Sequence, residues 1–294
     1  MKKYLIISFV FCILPITLFP RERKIYISPL GDDKNPGTLQ EPVKSVSIAQ
    51  SLAMPSFGKK KVLFLFMDGT HYLDDCIHIL PEQSGNKKYP VIYKALNPQK
   101  AIISGGSLLK LKWNSYKNGI FFAKVGADFG FIDQLYINGQ RRPMARFPNA
   151  RKNKNVFDCW DLSYDNKPDS TQDIFNSERI AKWKNPEGAY IHAMHSALWG
   201  DMHWIVEGKN DKGKLIYEGG WQNNRPAPMH PIYRFIETVF EELDVPGEWF
   251  FDRSGQILYY YPMPDEDIDK AKVEIVRLNC LVNFQGSEEK NISY

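Results

Sequence analysis

Cysteine is scarce in this chain, and several catalytic signatures are missing altogether. Of four cysteines, the three that follow the N-terminal segment are Cys76, Cys159 and Cys280, and their spacing fits no zinc-binding motif. They allow at most one disulfide within the chain. A glycine-rich phosphate loop, a nucleophile elbow and a catalytic cysteine–histidine pattern are also absent. The sequence therefore does not indicate the enzyme classes that depend on these motifs.

No run of basic residues points to nucleic acid, and the charges are nearly balanced. The chain has 38 Lys and Arg against 34 Asp and Glu, a formal net charge of +4. With 43% hydrophobic residues among 294, it can form one large domain or two smaller ones and is not disordered. The 14% of aromatic residues suits stacking on sugars, although packing in a β-rich core is the favoured explanation for any single ring.

Residues 1–20 have the features of a secretory signal peptide. Lys2 and Lys3 precede an apolar stretch at 4–19, which is short for a membrane span and is interrupted by Pro15. We therefore expect an exported protein, periplasmic or extracellular in a bacterium. No stable membrane insertion is expected after the signal peptide is removed.

Residues 21–106 predict an N-terminal cap followed by strands of a parallel sheet. The strand-like run at 25–27 leads into a loop rich in turn-forming residues, and the apolar spacing near 43–49 indicates one short helix. Residues 62–66 are continuously apolar, which implies burial on both faces as in parallel sheets. Further strands are expected at 77–80, 91–93 and 101–103.

The pattern changes after 106, where alternating strands predict an antiparallel insertion with one solvated face. Asn138-Gly139 is a strong signal for a two-residue hairpin turn. A short helix is expected near 177–183, and apolar spacing predicts a second helix at 232–243. Paired strands are expected at 190–194 and 203–207, a last hairpin at 247–261, and parallel-type strands again at 273–276 and 280–284.

Three segments resemble known proteins. They read IYISPLGDDKNPGTLQEPVKSVSIAQ at 25–50, LYINGQRRPMARFPN at 135–149 and LDVPGEWFFDRSGQILYYYP at 243–262. The first resembles the opening of secreted right-handed parallel β-helix proteins. The other two are similar to segments of β-helix glycoside hydrolases of the Bacteroidetes type. Among characterised groups, they most resemble glycoside hydrolase family 141. The segments are specific for this superfamily and not for a substrate.

The resemblance implies an all-β, right-handed parallel β-helix of the pectate-lyase type, incomplete, with an inserted antiparallel β-rich subdomain and a few short helices. The implied organisation is a signal peptide at 1–20, a cap and first rungs at 21–106, the insertion at 107–272 and resumed rungs at 273–294. The implied partner is a polysaccharide or oligosaccharide. Its hydrolysis would use acid and base carboxylates on rungs beyond residue 294, so the chain is expected to be the N-terminal portion of a longer protein. No catalytic residue is assigned, and whether the chain alone is an enzyme stays open.

Aromatic, imidazole, amide and guanidinium side chains are concentrated between 192 and 230, and they predict a sugar-binding surface. Such side chains offer faces for stacking and fixed groups for hydroxyl recognition. Hydrogen bonding within a hairpin and a long loop is the alternative interpretation. The candidate residues are His192, His195, Trp199, His203, Trp221, Gln222, Asn223, Asn224, Arg225 and His230.

A metal site within this cluster is disfavoured by its spacing. His192 and His195 are three residues apart on a predicted strand and therefore point to opposite faces, whereas Asp201 and His203 share one face. We predict neither a metal nor another cofactor. The loop carboxylates Asp32 and Asp33 are explained by turn formation without calcium.

The acidic residues near the aromatic region do not predict a catalytic pair. Glu237 and Glu241 are four apart and would share a face of the predicted helix, with Glu242 and Asp244 beside them. A solvated helix face explains this cluster better than the paired carboxyls that glycoside cleavage requires.

Three arginines flank the hairpin turn, at Arg141, Arg142 and Arg146. They could hold a uronate or sulfate, but pairing with structural acids is favoured. The main hypothesis is therefore part of a glycoside hydrolase. The alternatives are a polysaccharide lyase on the same scaffold, or a non-catalytic glycan-binding or structural fragment.

Overall fold

The computed structural model describes residues 22–126, 129–150, 173–222 and 225–292. The predicted signal peptide lies outside this range, as do Cys159, Asn223 and Asn224. The described chain is mostly β with few helices, which confirms the predicted all-β class. None of its helices is long and apolar enough to cross a membrane.

Short strands make up most of the secondary structure of the described residues. In chain order, the strands are β1 (Glu22–Ile27), β2 (Lys61–Phe66), β3 (Gly69–Tyr72), β4 (Ile77–Ile79), β5 (Val91–Ala95), β6 (Ala101–Ser104), β7 (Gly106–Leu109), β8 (Asn114–Ser115), β9 (Phe121–Lys124), β10 (Leu135–Ile137), β11 (Gln140–Arg142), β12 (Arg146–Phe147), β13 (Tyr190–His195), β14 (Asp201–Lys209), β15 (Leu215–Gly219), β16 (Trp221–Gln222), β17 (Arg225–Pro226), β18 (Met229–Glu237), β19 (Trp249–Asp252), β20 (Ile257–Tyr260), β21 (Val273–Val276) and β22 (Val282–Phe284). The α-helices are α1 (Val46–Ala53) and α2 (Ser177–Lys182), and short 3-10 turns occupy Met54–Ser56, Pro81–Gln83 and Phe240–Glu242.

The chain divides into two compact units. The first combines 22–105 with 279–292, and the second spans 106–278.

Strands in the first unit pair in parallel. The chain forms β2, β3 and β4 in succession, and later strands then pair with each of them: β5 with β2, β6 with β3 and β22 with β4. β1 pairs with the other edge of β2. Five of the six residues of β2 are buried, because this continuously apolar strand packs on both faces. The prediction of parallel strands in this region is confirmed.

Helix α1 forms where the apolar spacing predicted a helix. The Ser45 hydroxyl accepts a hydrogen bond from the Ile48 amide and caps the N-terminus. In the loop before it, one carboxylate oxygen of Asp33 accepts from the amides of Lys44 and Ser45. This acidic side chain therefore holds the loop backbone, in agreement with the interpretation as a turn former.

The second unit is built from antiparallel sheets. One has the order β11-β10-β21-β7, a second has β19-β20-β9-β8, and the largest has β12-β18-β13-β14-β15. The Asn138-Gly139 turn joins β10 to β11 with φ of 53° and 76°, which the two-residue hairpin requires. The predicted pairing of 190–194 with 203–207 is confirmed as β13 with β14, and the helix near 177–183 as α2.

The predicted helix at 232–243 is wrong. Its first part is strand β18, and only Phe240–Glu242 forms a 3-10 turn. The β-branched and aromatic side chains of this segment suit a strand, and its backbone is paired with β13 on one side and β12 on the other. Thr238, with a φ of 66°, ends the strand. Glu237 and Glu241 therefore do not share a helix face.

The prediction of parallel strands at 273–276 is also wrong. Strand β21 pairs antiparallel with β10 and β7 inside the second unit, and β22 is the strand that pairs in parallel with the first unit's β4. Val273 and Ile275 are almost fully buried in the core of that antiparallel sheet, together with Leu135 and Trp249. Short apolar strands have the same pattern in both kinds of sheet, so the sequence did not distinguish them.

Candidate functional site

A cleft of about 710 Å³ opens in the second unit. Its walls come from the β10–β11 hairpin, the strands β12, β13 and β18, and the turn that precedes β19. Charged, aromatic and thioether side chains line it, among them Arg141, Arg142, Arg146, His192, Phe235 and Glu248. A concave site with convergent polar groups is the usual form of a small-molecule or glycan site.

Glu248 is a buried acid among the residues that line the cleft. It is 1% exposed, and neither carboxyl oxygen has a hydrogen-bond partner of good geometry among the described residues. The pKa of this carboxyl is raised from 4.5 to about 9, mainly by loss of hydration and in addition by the nearby Asp244 carboxylate. Arg146 and two backbone amides act in the opposite direction and are outweighed. Glu248 is therefore a neutral acid near pH 7.

Two of the three arginines at the cleft are held by the protein itself. Arg142 Nη2 lies 2.7 Å from the Glu266 carboxylate, with both side chains largely buried. Arg146 stacks over Phe235, 3.6 Å from the ring centroid, and its Nε donates to the Pro148 carbonyl. These contacts agree with the structural role that the sequence favoured. Arg141 is the exposed residue of the three, and it also lines the cleft.

A row of side chains crosses one face of the five-stranded sheet at the cleft. Phe235 stacks on His192 with centroids 4.5 Å apart and planes 9° apart, and His192 meets His203 edge-on at 4.6 Å. His192 Nε2 lies 2.8 Å from a Glu237 carboxylate oxygen, and His203 Nε2 lies 3.2 Å from Asp201. Two of the sequence-predicted residues, His192 and His203, are thus brought together by the pairing of β13 with β14.

His195, the last residue of β13, and Trp199, in the loop after it, form a separate pair. Their rings are parallel and 4.9 Å apart, and the Trp199 side chain is largely exposed, at 71%. His195 is buried, and its Nδ1 accepts a hydrogen bond from the Ala197 amide. The imidazole therefore supports the loop, and the Trp199 indole is open to a ligand.

The remaining predicted binding residues lie outside the lining of the cleft. Trp221 and Gln222 form β16, which pairs with Arg225 of β17, and the Trp221 side chain is 59% exposed. His230 Nδ1 accepts from the amides of two residues that follow it, and burial lowers its pKa below 6.5. His230 therefore holds a turn, whereas Trp221 is an exposed stacking surface.

The acidic residues at 241, 242 and 244 form hydrogen bonds or ion pairs within the protein. Glu242 is 4% exposed, and it accepts hydrogen bonds from the Arg179 guanidinium at 2.8 Å and from the Trp183 indole at 2.6 Å. Glu241 accepts from the Lys184 amide, and Asp244 accepts from the Asn149 side chain. The interpretation as a solvated helix face is therefore wrong for Glu242, which is a buried ion-pair partner.

Sequence reasoning missed Glu248 and Phe235. Glu248 stands between Gly247 and the apolar strand β19, a position where a carboxylate is ordinarily solvated. Phe235 was placed on a helix that does not form. A single acid next to a buried strand is a weak signal, and no other feature of the sequence marks it.

Comparisons with known proteins give the fold. No family model and no curated protein matches the chain. A solved structure described as "Glycoside hydrolase" superimposes with a TM-score of 0.71 at 21% identity, covering 92% of this chain and 48% of that one. The fold is similar to that of a glycoside hydrolase.

The chain spans about half the length of that glycoside hydrolase, 48% of it. A second solved structure, "The complex structure of XylC with xylose", aligns at 12% identity over 86% of this chain and 31% of its own, with a TM-score of 0.36. That score is too low to support an argument. The glycoside-hydrolase-like fold therefore rests on the first comparison.

Proposed function

We propose that the chain is the N-terminal portion of an exported, carbohydrate-active β-helix protein similar to glycoside hydrolase family 141. The intact protein would hydrolyse glycosidic bonds with acid and base carboxylates beyond residue 294. The proposal is supported by the glycoside-hydrolase-like fold and by the parallel strands of the first unit, in which β5 follows β2 and β6 follows β3 as successive turns of a right-handed coil would.

The first unit has an apolar surface that a further turn of coil would cover. A cavity of about 620 Å³ there is lined mainly by apolar side chains, including Ile79, Val91 and Ile103. Val282 and Phe284 of β22 belong to the same lining and are 45% and 57% exposed. Parallel coils leave such an open end wherever no cap or following turn lies against it. This exposed apolar surface supports the proposal of a longer coil.

The cleft of the second unit is the observation that carries the glycan assignment. Its volume suits one or two sugar rings, and its lining combines apolar side chains such as Met144 and Val245 with the exposed Arg141 and the neutral acid Glu248. These groups offer an apolar surface for ring CH groups together with donors for hydroxyls. Because Arg142 and Arg146 are already held by the protein, the arginines give little support to a lyase that neutralises a uronate.

A glycan array with the purified 294-residue protein tests the binding step. We expect binding to a set of plant or host glycans, and we expect Arg141→Ala to weaken it about tenfold, as the loss of one charge-assisted hydrogen bond does. Lys212→Ala is the control, because it removes an exposed basic side chain that neither lines the cleft nor belongs to the predicted binding residues. Trp221→Ala examines the other surface that the sequence indicated.

The outcomes separate the parts of the proposal. Loss of binding in Trp221→Ala with full binding in Arg141→Ala would move the glycan to the β16–β17 hairpin. No binding to any glycan would overturn the carbohydrate assignment. For catalysis, we expect hydrolysis by a version extended by a following coil and none by the 294-residue form. Turnover by the short form that is lost in Glu248→Gln would place a catalytic carboxyl within this chain. The mass of the mature N-terminus after expression in a bacterium tests export.

A further inference from the structure

The pairing of β13 with β14 assembles a group of metal-ligating side chains. In that antiparallel pair, His192 and His203 are direct partners, and Asp201 lies two residues from His203 on the same face of β14. One ring nitrogen from each histidine and one oxygen of Asp201 lie within 4.8 Å of one another. We propose that His192, Asp201 and His203 form a binding site for a divalent transition metal ion such as Zn²⁺, a site that goes beyond the proposed glycan binding.

The donor set fits zinc better than calcium or magnesium. Two imidazoles and one carboxylate are typical zinc ligands, whereas calcium and magnesium prefer oxygen donors alone. Ligand atoms around a tetrahedral zinc lie about 3.3 Å apart, given bond lengths of about 2.0 to 2.1 Å. His203 Nε2 and the Asp201 oxygen are already 3.2 Å apart. One ring nitrogen of His192 lies within 4.8 Å of both of these atoms.

His192 has the outer partner that a metal-ligating histidine usually has. Its Nε2 is 2.8 Å from a Glu237 oxygen, so that a proton on Nε2 is held by the carboxylate and Nδ1 keeps a lone pair. Phe235 stacks flat on the ring at 4.5 Å and holds its plane. The orientation of His192 is therefore set from two sides before an ion arrives.

The exposure of the group leaves room for a ligand on the ion. The side chains of His203 and Asp201 are 56% and 42% exposed, and that of His192 is 18% exposed. Three protein ligands facing solvent leave the fourth position of a tetrahedral ion to water or a ligand, which is the arrangement of open rather than structural zinc sites. Asp201 and Glu237 together supply two negative charges, which balance a divalent cation.

Zinc binding to metal-free, tag-free protein tests the proposal. Titration against a chromogenic zinc chelator measures affinity and stoichiometry in the 294-residue protein without any activity assay. We expect one equivalent of zinc at this site, with affinity reduced at least about 100-fold in His203→Ala and Asp201→Asn, because each removes a direct ligand. Glu237→Gln should weaken binding about 10-fold to 100-fold without changing the stoichiometry.

Two matched controls exclude other sites. His78 lies 3.5 Å from Asp75 in the first unit, a pair of the same chemistry that lacks a second histidine, so His78→Ala should bind zinc as the unmodified protein does. Cys76→Ser removes one of two adjacent thiols that could also hold zinc, and it should likewise retain the equivalent at this site.

The result is decisive in both directions. Zinc binding that survives in His203→Ala, or that disappears in His78→Ala, would overturn the assignment of the ion to β13 and β14. Absence of any zinc binding by the unmodified protein would overturn it as well, and would leave the glycan proposal untouched. With Co²⁺ in place of Zn²⁺, visible absorption bands of a tetrahedral ion should appear and should be missing in His203→Ala.

Discussion

Replacing Glu248 with Gln should remove a pH-dependent instability from the second unit. The carboxyl is 1% exposed, and burial raises its pKa from 4.5 to about 9. Between these two values the folded protein keeps a proton that the unfolded chain has released. The folded state therefore binds more protons than the unfolded state, and the free energy of unfolding falls as pH rises. Glutamine has nearly the same shape and does not ionise.

The expected size follows from the width of that window. Each pH unit inside it corresponds to about 1.4 kcal/mol for one proton. From about pH 6 to about pH 8, the unmodified protein should lose about 2.7 kcal/mol more unfolding free energy than Glu248→Gln does. Contributions from other titrating groups, such as His230, are the same in both proteins and cancel in the difference.

Tryptophan fluorescence measures this unit selectively during urea unfolding. All seven tryptophans of the sequence lie between 106 and 278, and the first unit contains none. Urea midpoints at the two pH values, multiplied by the slope of the transition, give the difference in free energy. Glu218→Gln is the matched control, because Glu218 is an exposed glutamate on β15 of the same unit.

Equal pH dependence in Glu248→Gln and in the unmodified protein would refute the reasoning. It would mean that the Glu248 carboxyl titrates near its ordinary value and therefore that water or a cation reaches it. A pH effect in Glu218→Gln as large as in Glu248→Gln would refute the assignment of the effect to burial.

Two further outcomes are expected from ion pairing and thiol chemistry. Arg179→Ala should lower the unfolding free energy by about 3 to 5 kcal/mol, because it leaves the Glu242 carboxylate buried without its cation. Urea unfolding measures this loss. If the double variant with Glu242→Gln recovers none of the lost stability, the explanation is contradicted. Cys76 and Cys280, with sulfurs 3.1 Å apart, should form a disulfide with each other when oxidised glutathione is added. The reaction should become faster as pH rises toward the Cys76 pKa of about 11. Peptide mass mapping that finds no disulfide between the two cysteines would contradict this expectation.

Short stretches of sequence were sufficient to predict an element where its conformation or burial requires particular residue types. The Asn138-Gly139 turn was predictable because both positions adopt positive φ, which few residues tolerate. Residues 62–66 predicted a doubly buried strand because every side chain there is apolar. Helix α1 was predictable from its apolar spacing alone, whereas its cap, Ser45, was identified only in the structure.

The helix prediction at 232–243 was wrong because the same spacing of apolar residues fits both a helix and a strand. Residues such as Ile232, Phe235 and Ile236 fit one face of a helix, but they also suit a strand flanked by partners. The partners, β12 and β13, come from distant parts of the chain. Glu237 consequently faces His192 across a sheet and not Glu241 along a helix.

The sequence by itself determined the all-β class, several turns and strands, and the supply of histidines and aromatic residues between 192 and 230. Only the tertiary structure decided which of these meet. The rule that alternate strand residues share a face correctly separates His192 from His195, but the register between β13 and β14 is what places His192 opposite His203. Burial is equally a property of the whole fold, and it turns Glu248 from an ordinary acid into a neutral one. Register and burial depend on residues far apart in the chain, so no local pattern contains them.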